Sequence, residues 1–495
     1  MSKSEASEEK RSEGLRRLSG EDAVFIYAET PSMPMHTVGT VILDPSEVPG
    51  GFGYPEIVST VASRIHQMPP FRQRLLEVPF GLGHPVLADD PDFRVEHHLH
   101  RLAVHAPGGM RQLAEIVGDL ADRPLDRHQP LWEMWVIEGL EGGRIALVMK
   151  MHHCMIDGAS GSSQMAGLMD LEPDAAPPSS ASAAWSPPPL PSTLSLAARS
   201  AFSRVVNPLR LGRLAFNTAQ GMISRRRAQR EVARPGSEKR GFLDGVPETP
   251  FGGSVSTHRS VAYGSAPLAA LKRIKNTFGG TVNDAVLAAC ALSVRRYLES
   301  RGALPDAPLV CMVPVSLKDA GEKKKFSNKV SLMSVRLPTH LSDPEAIVQE
   351  VRQQTAAAKH VFQAVEGDLI SEWLELLPPL LTTYGARLYS ELKVADRMPT
   401  MMNLVVSNMM GPPVPLYFGG ARVEAVYPMG PVGEGLGVNM TVLSNMGRVD
   451  IGVLTCRETV PDPWVLADGF AEAVAELERA AEKREVSGRA STPQL

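Results

Sequence analysis

The sequence feature that most constrains this chain is a polar motif placed directly after an apolar run. Residues Ile145–Met149 are apolar and predict a strand, and the chain continues as HHCMIDG at residues 152–158. Two histidines, an aspartate and a glycine therefore occupy fixed positions in the pattern HHxxxDG. This pattern leads to the hypothesis of a catalytic site at the end of a strand.

Length and composition predict a soluble, two-domain protein. With 495 residues the chain exceeds the size of one ordinary core, and 43% hydrophobic and 21% charged residues are typical of globular proteins. A net charge of −4 argues against a surface built for nucleic acid. No apolar run approaches the roughly 18 residues of a membrane-spanning helix, and the first residues do not resemble a signal peptide. We therefore expect a cytoplasmic protein.

The cysteine pattern supports the same compartment. Cys154, Cys290, Cys311 and Cys456 are far apart and form no CxxC pair. Such spacing favours reduced thiols over a disulfide or zinc framework.

Hydrophobic periodicity predicts an α/β fold. Strands are expected at His36–Leu43, at Phe93–Leu102 and at Met134–Ile137, the last joined by a tight turn to the strand before the histidines. The second half alternates helices with strands and contains a predicted hairpin around residues 445–447. Thr281 and Asp284 form a capping box that predicts a helix start after Gly279-Gly280.

Two unusual segments divide the chain. Residues 173–191 are rich in Pro, Ala and Ser and predict an extended linker. Residues 194–240 then contain eleven Lys or Arg and two acidic residues, interleaved with apolar residues. A basic amphipathic helix of this kind fits an anionic membrane or lipid droplet surface, and it equally fits a crossover helix with a solvated basic face. Both interpretations stay open at this point.

These segments set the predicted domain ranges. We expect a disordered N-terminus at 1–15, an N-terminal domain with the histidine motif at 16–172, and a linker plus basic crossover helix at 173–245. A C-terminal domain is expected at 246–485 and a tail at 486–495.

The histidine pair favours proton transfer over metal binding. Adjacent residues at a strand end point to opposite faces, so His152 and His153 are poorly placed to share a metal, and no third ligand has a zinc-like spacing. A neutral imidazole is suited to take a proton from a hydroxyl. Since no GxSxG motif is present, a histidine acting directly on a bound acceptor is preferred to a serine or cysteine acyl-enzyme. Two satisfied core histidines are the alternative.

Several ordered blocks identify a family resemblance that covers about Leu18 to Ala481. The blocks are LSGEDAVFIYAETPSMPMH (18–36), PLDRHQPLWEMWVIEGL (124–140), HHCMIDG (152–158), PETPF (247–251), TVNDAVLA (281–288), PVSL (314–317), NLVVSN (403–408) and GPVGEGLGVNMTVLSNMGRVDIGV (430–453). In these blocks the chain resembles the bacterial bifunctional wax ester synthase/diacylglycerol acyltransferase family, within the chloramphenicol acetyltransferase-like superfamily.

The resemblance implies an architecture and a set of site residues. The expected fold has two chloramphenicol acetyltransferase-like α/β domains, each a mixed sheet flanked by helices, with an active-site tunnel at their interface. His153 would be the general base and His152 a supporting neighbour, while Asp157 and Gly158 would hold the loop. Asn283, at the second position of its helix, would face the developing oxyanion. The same helix start makes Asp284 either a supporting site residue or a cap only.

The implied reaction moves a long-chain acyl group from acyl-CoA to diacylglycerol or to a long-chain alcohol. It needs acyl-CoA as co-substrate, no permanently bound cofactor and no metal. Peripheral contact with the inner membrane face or lipid inclusions would use residues 194–240. Alternatives are a same-superfamily acyltransferase with a carrier-bound donor, a glycerolipid acyltransferase of the HX4D type, and an idle lipid-droplet-binding homologue. Ser327, Lys318 and Met409-Met410 depart from the family pattern.

Overall fold

Two six-stranded sheets organise the computed structural model, which describes residues 15–155, 167–175, 187–198, 246–316, 330–363 and 379–490. The strands are β1 Leu15–Arg17, β2 His36–Asp44, β3 Gln73–Leu76, β4 Val86–Asp89, β5 Leu99–Ala103, β6 Trp132–Glu138, β7 Ile145–His152, β8 Arg259–Pro267, β9 Leu309–Ser316, β10 Val330–Leu337, β11 Leu404–Met410, β12 Tyr417–Phe418, β13 Ala421–Met429, β14 Val438–Asn445 and β15 Arg448–Cys456.

The helices within these ranges flank the sheets. They are α1 Gly20–Ala28, α2 Tyr54–Arg64, α3 Met110–Ala121, α4 Leu268–Phe278, α5 Val282–Ser300, α6 Pro344–Gln363, α7 Pro379–Glu391 and α8 Trp464–Ala490. None of these helices taken alone has the length and hydropathy of a membrane span. Helices α4 and α5 have that length and hydropathy only when they are counted together, and they are bent by 103° relative to each other.

The first sheet has the order β12-β13-β2-β7-β6-β5, and only β5 and β6 pair in parallel. All eight residues of β7 are buried, because this strand lies in the interior of the sheet and both of its faces are covered. The predicted strand is therefore confirmed, and it extends to His152. A separate small sheet has the order β1-β4-β3.

The second sheet has the order β10-β9-β11-β14-β15-β8, with β11 parallel to both of its neighbours. Helices α4, α5, α6 and α8 pack on it around one apolar cluster. The predicted hairpin is confirmed, since β14 and β15 pair around Met446 and Gly447, which have φ of 43° and 79°. The predicted α/β fold with mixed sheets flanked by helices is present in both halves.

The sheets do not divide the chain at the predicted linker. Strands β12 and β13 come from the predicted C-terminal range, yet β13 pairs with β2 in the first sheet. A further apolar cluster joins the sheets, and Tyr263 of β8 donates or accepts a hydrogen bond with Thr40 of β2 over 3.1 Å. The two halves are therefore interleaved, and the predicted domain ranges stay a prediction.

Both predicted ends differ in detail. Strand β1 begins at Leu15, which was placed in the disordered N-terminus, and residues 1–14 lie outside the described residues. Helix α8 continues to Ala490 and so includes part of the predicted tail. Of the basic segment, residues 199–240 lie outside the described residues, whereas Leu196 packs against Val78 and Val86.

The bend between α4 and α5 depends on two glycines. Gly279 and Gly280 have φ of 79° and 101°, a region that other residues rarely adopt. A Cβ on either residue would also stand about 3.0 Å from the Arg352 side chain. The predicted helix stop at this pair is confirmed, and it fixes the direction in which α5 begins.

Candidate active site

The histidine pair lies where β7 leaves the first sheet. His152 is the last residue of the strand, it pairs with His36 of β2, and its N–H donates to Leu131 O over 3.0 Å. A 3-10 turn at His153–Met155 follows directly. The N–H of His153 donates to Met35 O over 2.8 Å. Strand pairing therefore holds one histidine, and the turn after it presents the next.

His152 is an interior residue with only 1% of its surface exposed. Its Nδ1 accepts a hydrogen bond from the Cys154 N–H over 3.2 Å, and its Nε2 lies 3.6 Å from Glu29 Oε1. Because Nδ1 is an acceptor here, a proton of this ring belongs on Nε2, on the side of Glu29. This ring therefore braces the turn that carries its neighbour.

His153 has a different environment. The ring is half-buried and stacks on Phe25 of α1, with centroids 4.0 Å apart and planes inclined by 18°. Its Nδ1 is buried and makes no hydrogen bond to another residue of the described part of the chain. Burial, and then the charge of His152, lower the pKa of His153 from 6.5 to about 4. A backbone hydrogen bond within His153 itself opposes the fall in its pKa. His153 is thus a neutral imidazole at neutral pH, with unused capacity to bind a proton.

Residues near the pair use their polar groups to fasten helix α3. His36 Nε2 donates to Ala121 O over 3.1 Å, and buried Lys150 donates from Nζ to Arg123 O over 2.7 Å. Burial lowers the pKa of His36 to about 3, so this ring is neutral. Both side chains satisfy carbonyls near the end of α3, which is a structural role.

Glu29 and Phe25 were missed as site residues by the sequence analysis. Both occur in the block at 18–36, and the family resemblance of that block implied no role for either residue. Burial would raise the pKa of Glu29, but hydrogen bonds and charges from His152 and Arg127 outweigh it and lower the pKa to about 2. An ionised carboxylate therefore stands beside His152.

The second candidate region is the first turn of α5. Asn283 is the second residue of this helix, as predicted, and its Oδ1 accepts a hydrogen bond from Asn408 Nδ2 of β11 over 3.2 Å. That bond uses the acceptor of the amide and leaves the Nδ2 donors of Asn283 for another group. The predicted capping box is confirmed, because the Thr281 side chain accepts from the Asp284 N–H and the Asp284 side chain accepts from the Thr281 N–H.

Asp284 is fully engaged inside the protein. Its Oδ2 accepts from Thr281 N over 2.7 Å and from Thr281 Oγ1 over 2.8 Å, and its Oδ1 accepts from Thr355 Oγ1 over 2.7 Å. Only 5% of the residue is exposed. These contacts support the interpretation of Asp284 as a cap.

Asp157, Gly158 and Ser327 lie outside the described residues, so their assignments stay predictions. The catalytic assignments of His152, His153 and Asn283 stay predictions as well, and among the described residues no hydrogen bond, ion pair or ring contact joins the turn at His153 to α5. Two surface hollows are lined by residues of α4 and α8 and by residues near Leu15, and neither includes a candidate site residue. The tunnel likewise stays a prediction.

The described ranges bear on the expectations for metal ligands and for cysteines. They contain no group of three or more His, Cys, Asp or Glu side chains arranged to hold a metal ion. All four cysteines are free and buried, and burial raises the pKa of Cys154, Cys290 and Cys311, that of Cys290 to about 12. Thiols of this kind remain protonated and are poor nucleophiles.

Comparison with protein families gives two matches. The model for the wax ester synthase/diacylglycerol acyltransferase catalytic domain matches residues 18–286, and the model for the C-terminal domain of the same family matches residues 326–478. A relative from Mycobacterium tuberculosis, provisionally named a diacylglycerol O-acyltransferase, is 36% identical over 472 residues. That match covers 94% of this chain and 90% of the relative.

Solved structures agree with this result. The wax ester synthase/diacylglycerol acyltransferase from Marinobacter aquaeolei superimposes with a TM-score of 0.65 at 26% identity, covering 94% of this chain and 100% of that one. The starter condensation domain of rhizomide synthetase, solved with C8-CoA, gives a TM-score of 0.52 at 14% identity and covers 97% of both chains. The second likeness concerns the fold alone.

Proposed function

The chain belongs to the wax ester synthase/diacylglycerol acyltransferase family, and we propose that it transfers long-chain acyl groups with His153 as general base. It is an acyl-CoA-dependent O-acyltransferase. The acceptors proposed are the free hydroxyl of diacylglycerol, which gives triacylglycerol, and that of a long-chain alcohol, which gives a wax ester.

The observation that carries the proposal is the state of His153. The ring is neutral at neutral pH, is held by stacking on Phe25, and has a buried Nδ1 that bonds to no other described residue. In the proposed reaction His153 takes the proton of the acceptor hydroxyl as its oxygen attacks the thioester carbonyl of acyl-CoA. The C–S bond then breaks, the ester forms, and the CoA thiolate takes the proton from His153.

Two further roles support the reaction. The Nδ2 donors of Asn283, together with the N-terminus of α5, are proposed to stabilise the negative oxygen of the tetrahedral intermediate. Asp157 and Gly158 are proposed to hold the loop after His153, and a tunnel between the two sheets is proposed to bring acyl-CoA and the acceptor together. No permanently bound cofactor and no metal enter this mechanism.

The proposed location is the cytoplasm, with peripheral contact at the inner membrane face or lipid inclusions through residues 194–240. The excess of eleven basic over two acidic residues in this segment supports the contact. Neutralising Arg225, Arg226, Arg227 and Arg230 should release the protein from anionic liposomes in a co-sedimentation assay. Unchanged co-sedimentation would remove the support for this contact.

The proposed function is tested by release of free CoA from palmitoyl-CoA. Wild type is expected to release thiol in the presence of diacylglycerol or hexadecanol, and His153→Ala to be slower by about 10²–10⁴. His128→Ala is the matched control, because the side chain of His128 is 89% exposed and pairs with nearby Asp126. Equal release by wild type and His153→Ala would remove His153 from the mechanism.

A further inference from the structure

Glu29 directly follows α1, and its two carboxylate oxygens have different partners. Oε2 accepts from Arg127 twice, from Nη2 over 2.6 Å and from Nε over 3.0 Å. Oε1 accepts from the Met35 N–H over 3.3 Å and lies 3.6 Å from His152 Nε2. One oxygen therefore joins Glu29 to a cation, and the other joins it to the residues around the catalytic turn.

Arg127 holds this carboxylate in one orientation. Its Nη2 also donates to Ile26 O of α1 over 3.2 Å, and its Nη1 donates to Glu77 Oε1 over 3.1 Å. A planar guanidinium that bonds both the helix carbonyl and the carboxylate fixes Glu29 relative to α1. The Glu29 side chain is only 10% exposed, whereas that of Glu77 is 68% exposed. The two carboxylates on Arg127 thus differ in burial and in what they contact.

Two paths lead from Glu29 Oε1 to the turn at His153. In the first, the carboxylate faces His152 Nε2, and the opposite nitrogen of that ring accepts the Cys154 N–H inside the turn. In the second, the Met35 N–H donates to Glu29, and the Met35 carbonyl accepts the N–H of His153. The side chain of one histidine and the backbone of the next are therefore set by the same carboxylate.

We propose that Glu29 is a positioning residue for the acyl transfer, acting mainly through His152 to orient the turn that carries His153. Its negative charge keeps the His152 proton on Nε2, so that Nδ1 stays free to accept from Cys154. Glu29 itself contacts no reacting group. This inference rests on the proposed function, because it assigns Glu29 a purpose only if His153 takes part in the reaction.

The competing explanation is that Glu29 and Arg127 form an ion pair that stabilises the fold and nothing more. Steady-state kinetics separate the two. If His153 is displaced, Glu29→Ala should lower kcat by about 10- to 100-fold while KM for palmitoyl-CoA changes by less than about twofold. Glu29→Gln should recover part of that loss, because an amide oxygen can still accept from the Met35 N–H and face His152 Nε2.

Glu77→Gln provides the matched control. It alters the other carboxylate on Arg127 and leaves the Glu29, His152 and Met35 contacts in place. We expect kcat and KM for this variant to equal those of wild type. A loss of kcat in Glu77→Gln as large as that in Glu29→Ala would assign the effect to Arg127 and overturn the proposal.

A double-mutant cycle tests the route through His152. In a His152→Ala background, Glu29→Ala should lower kcat much less than it does in wild type, since the ring on which it acts is gone. An equal fold-loss of kcat from Glu29→Ala in wild type and in His152→Ala would overturn the proposal. A lower Tm for Glu29→Ala with unchanged kcat of the folded enzyme would overturn it as well. If Glu29→Ala does not fold, the same double-mutant cycle is measured with Glu29→Gln. Failure of the proposed function is distinguishable, because wild type would then transfer no acyl group, or His153→Ala would transfer it as fast as wild type.

Discussion

The turn at His153 and the first turn of α5 are both polar, and they differ in how their polar atoms are used. At α5, Asp284 accepts three hydrogen bonds, from Thr281 and from Thr355. At the other turn, His153 has a buried Nδ1 without a partner among the described residues. A buried polar group without a hydrogen bond costs free energy, and His36 Nδ1 and His152 Nε2 near this turn are also without a hydrogen-bond partner among the described residues. The comparison contrasts a carboxylate whose two oxygens are engaged with an imidazole that bonds to no other described residue.

Replacing His153 by leucine tests this contrast most strongly. The variant His153→Leu should lose about 10²–10⁴ in kcat, because the proton acceptor is gone. Its Tm should equal or exceed that of wild type, since a buried, unpaired nitrogen is replaced by an apolar group of similar size. Calorimetry beside the CoA-release assay measures both. A large drop in Tm would mean that the imidazole holds the turn together.

Asn283 lies next to the capping residue Asp284. Its substitution tests whether the same turn also contains a residue that takes part in the reaction. Asn283→Asp keeps an oxygen that can accept from Asn408 but removes the Nδ2 donors and adds a negative charge. We expect kcat to fall by about 10²–10³, the usual loss when one oxyanion donor is removed, with little change in Tm. Steady-state assays with palmitoyl-CoA check this. A kcat within twofold of wild type would leave Asn283 with a structural role only.

Asp284 should show the opposite behaviour. Asp284→Ala removes the capping box, takes away the carboxylate that accepts from the Thr281 hydroxyl, and leaves the Thr355 hydroxyl to the Arg352 carbonyl. The free energy of unfolding should fall by about 1–3 kcal/mol, while kcat of the folded protein stays close to that of wild type. Denaturant titration measures the free energy of unfolding. A kcat loss equal to that of Asn283→Asp would mean that the two residues act together.

Acid should destabilise the protein through its neutral buried histidines. The pKa values of His153 and His36 are lowered to about 4 and about 3, so below pH 6.5 the unfolded chain binds protons that the folded chain does not. Stability should therefore fall as pH drops from 6.5 towards 4, by up to about 1.4 kcal/mol per pH unit for each histidine. His153→Leu should remove one histidine's share of that slope. Identical slopes for both proteins would contradict the lowered pKa of His153.

Local sequence signals predicted the parts of the fold that depend on neighbouring residues. The end of α4 at Gly279, the cap at Thr281 and the hairpin at Gly447 each follow from residues within a few positions of one another. The strand before the histidines was predicted from an apolar run, and the candidate site from two histidines that are adjacent in the sequence. These features need no knowledge of the rest of the chain.

The interpretations that failed or were missed depend on distant partners. The strand predicted at Phe93–Leu102 is wrong in its first half, where a 3-10 turn at Val95–His97 precedes β5. His98 turns inward there, with Nδ1 bonded to Trp132 O over 2.8 Å and the ring stacked on Trp132. Glu29 was missed for a similar reason, because it meets His152 only after α1 packs beside the end of β7.

The pairing of β13 with β2 has a consequence for how the protein is made. Every residue of β2 that pairs on this edge finds its partner about 380 residues later in the chain. At ribosomal speeds of about 5–20 residues per second, that edge waits about 20–80 seconds for its neighbour. An unpaired strand edge can associate with other chains during this time. The first sheet is thus completed late in synthesis. Fragments that end before residue 421 expose the edge of β2, whose backbone groups can pair with another chain.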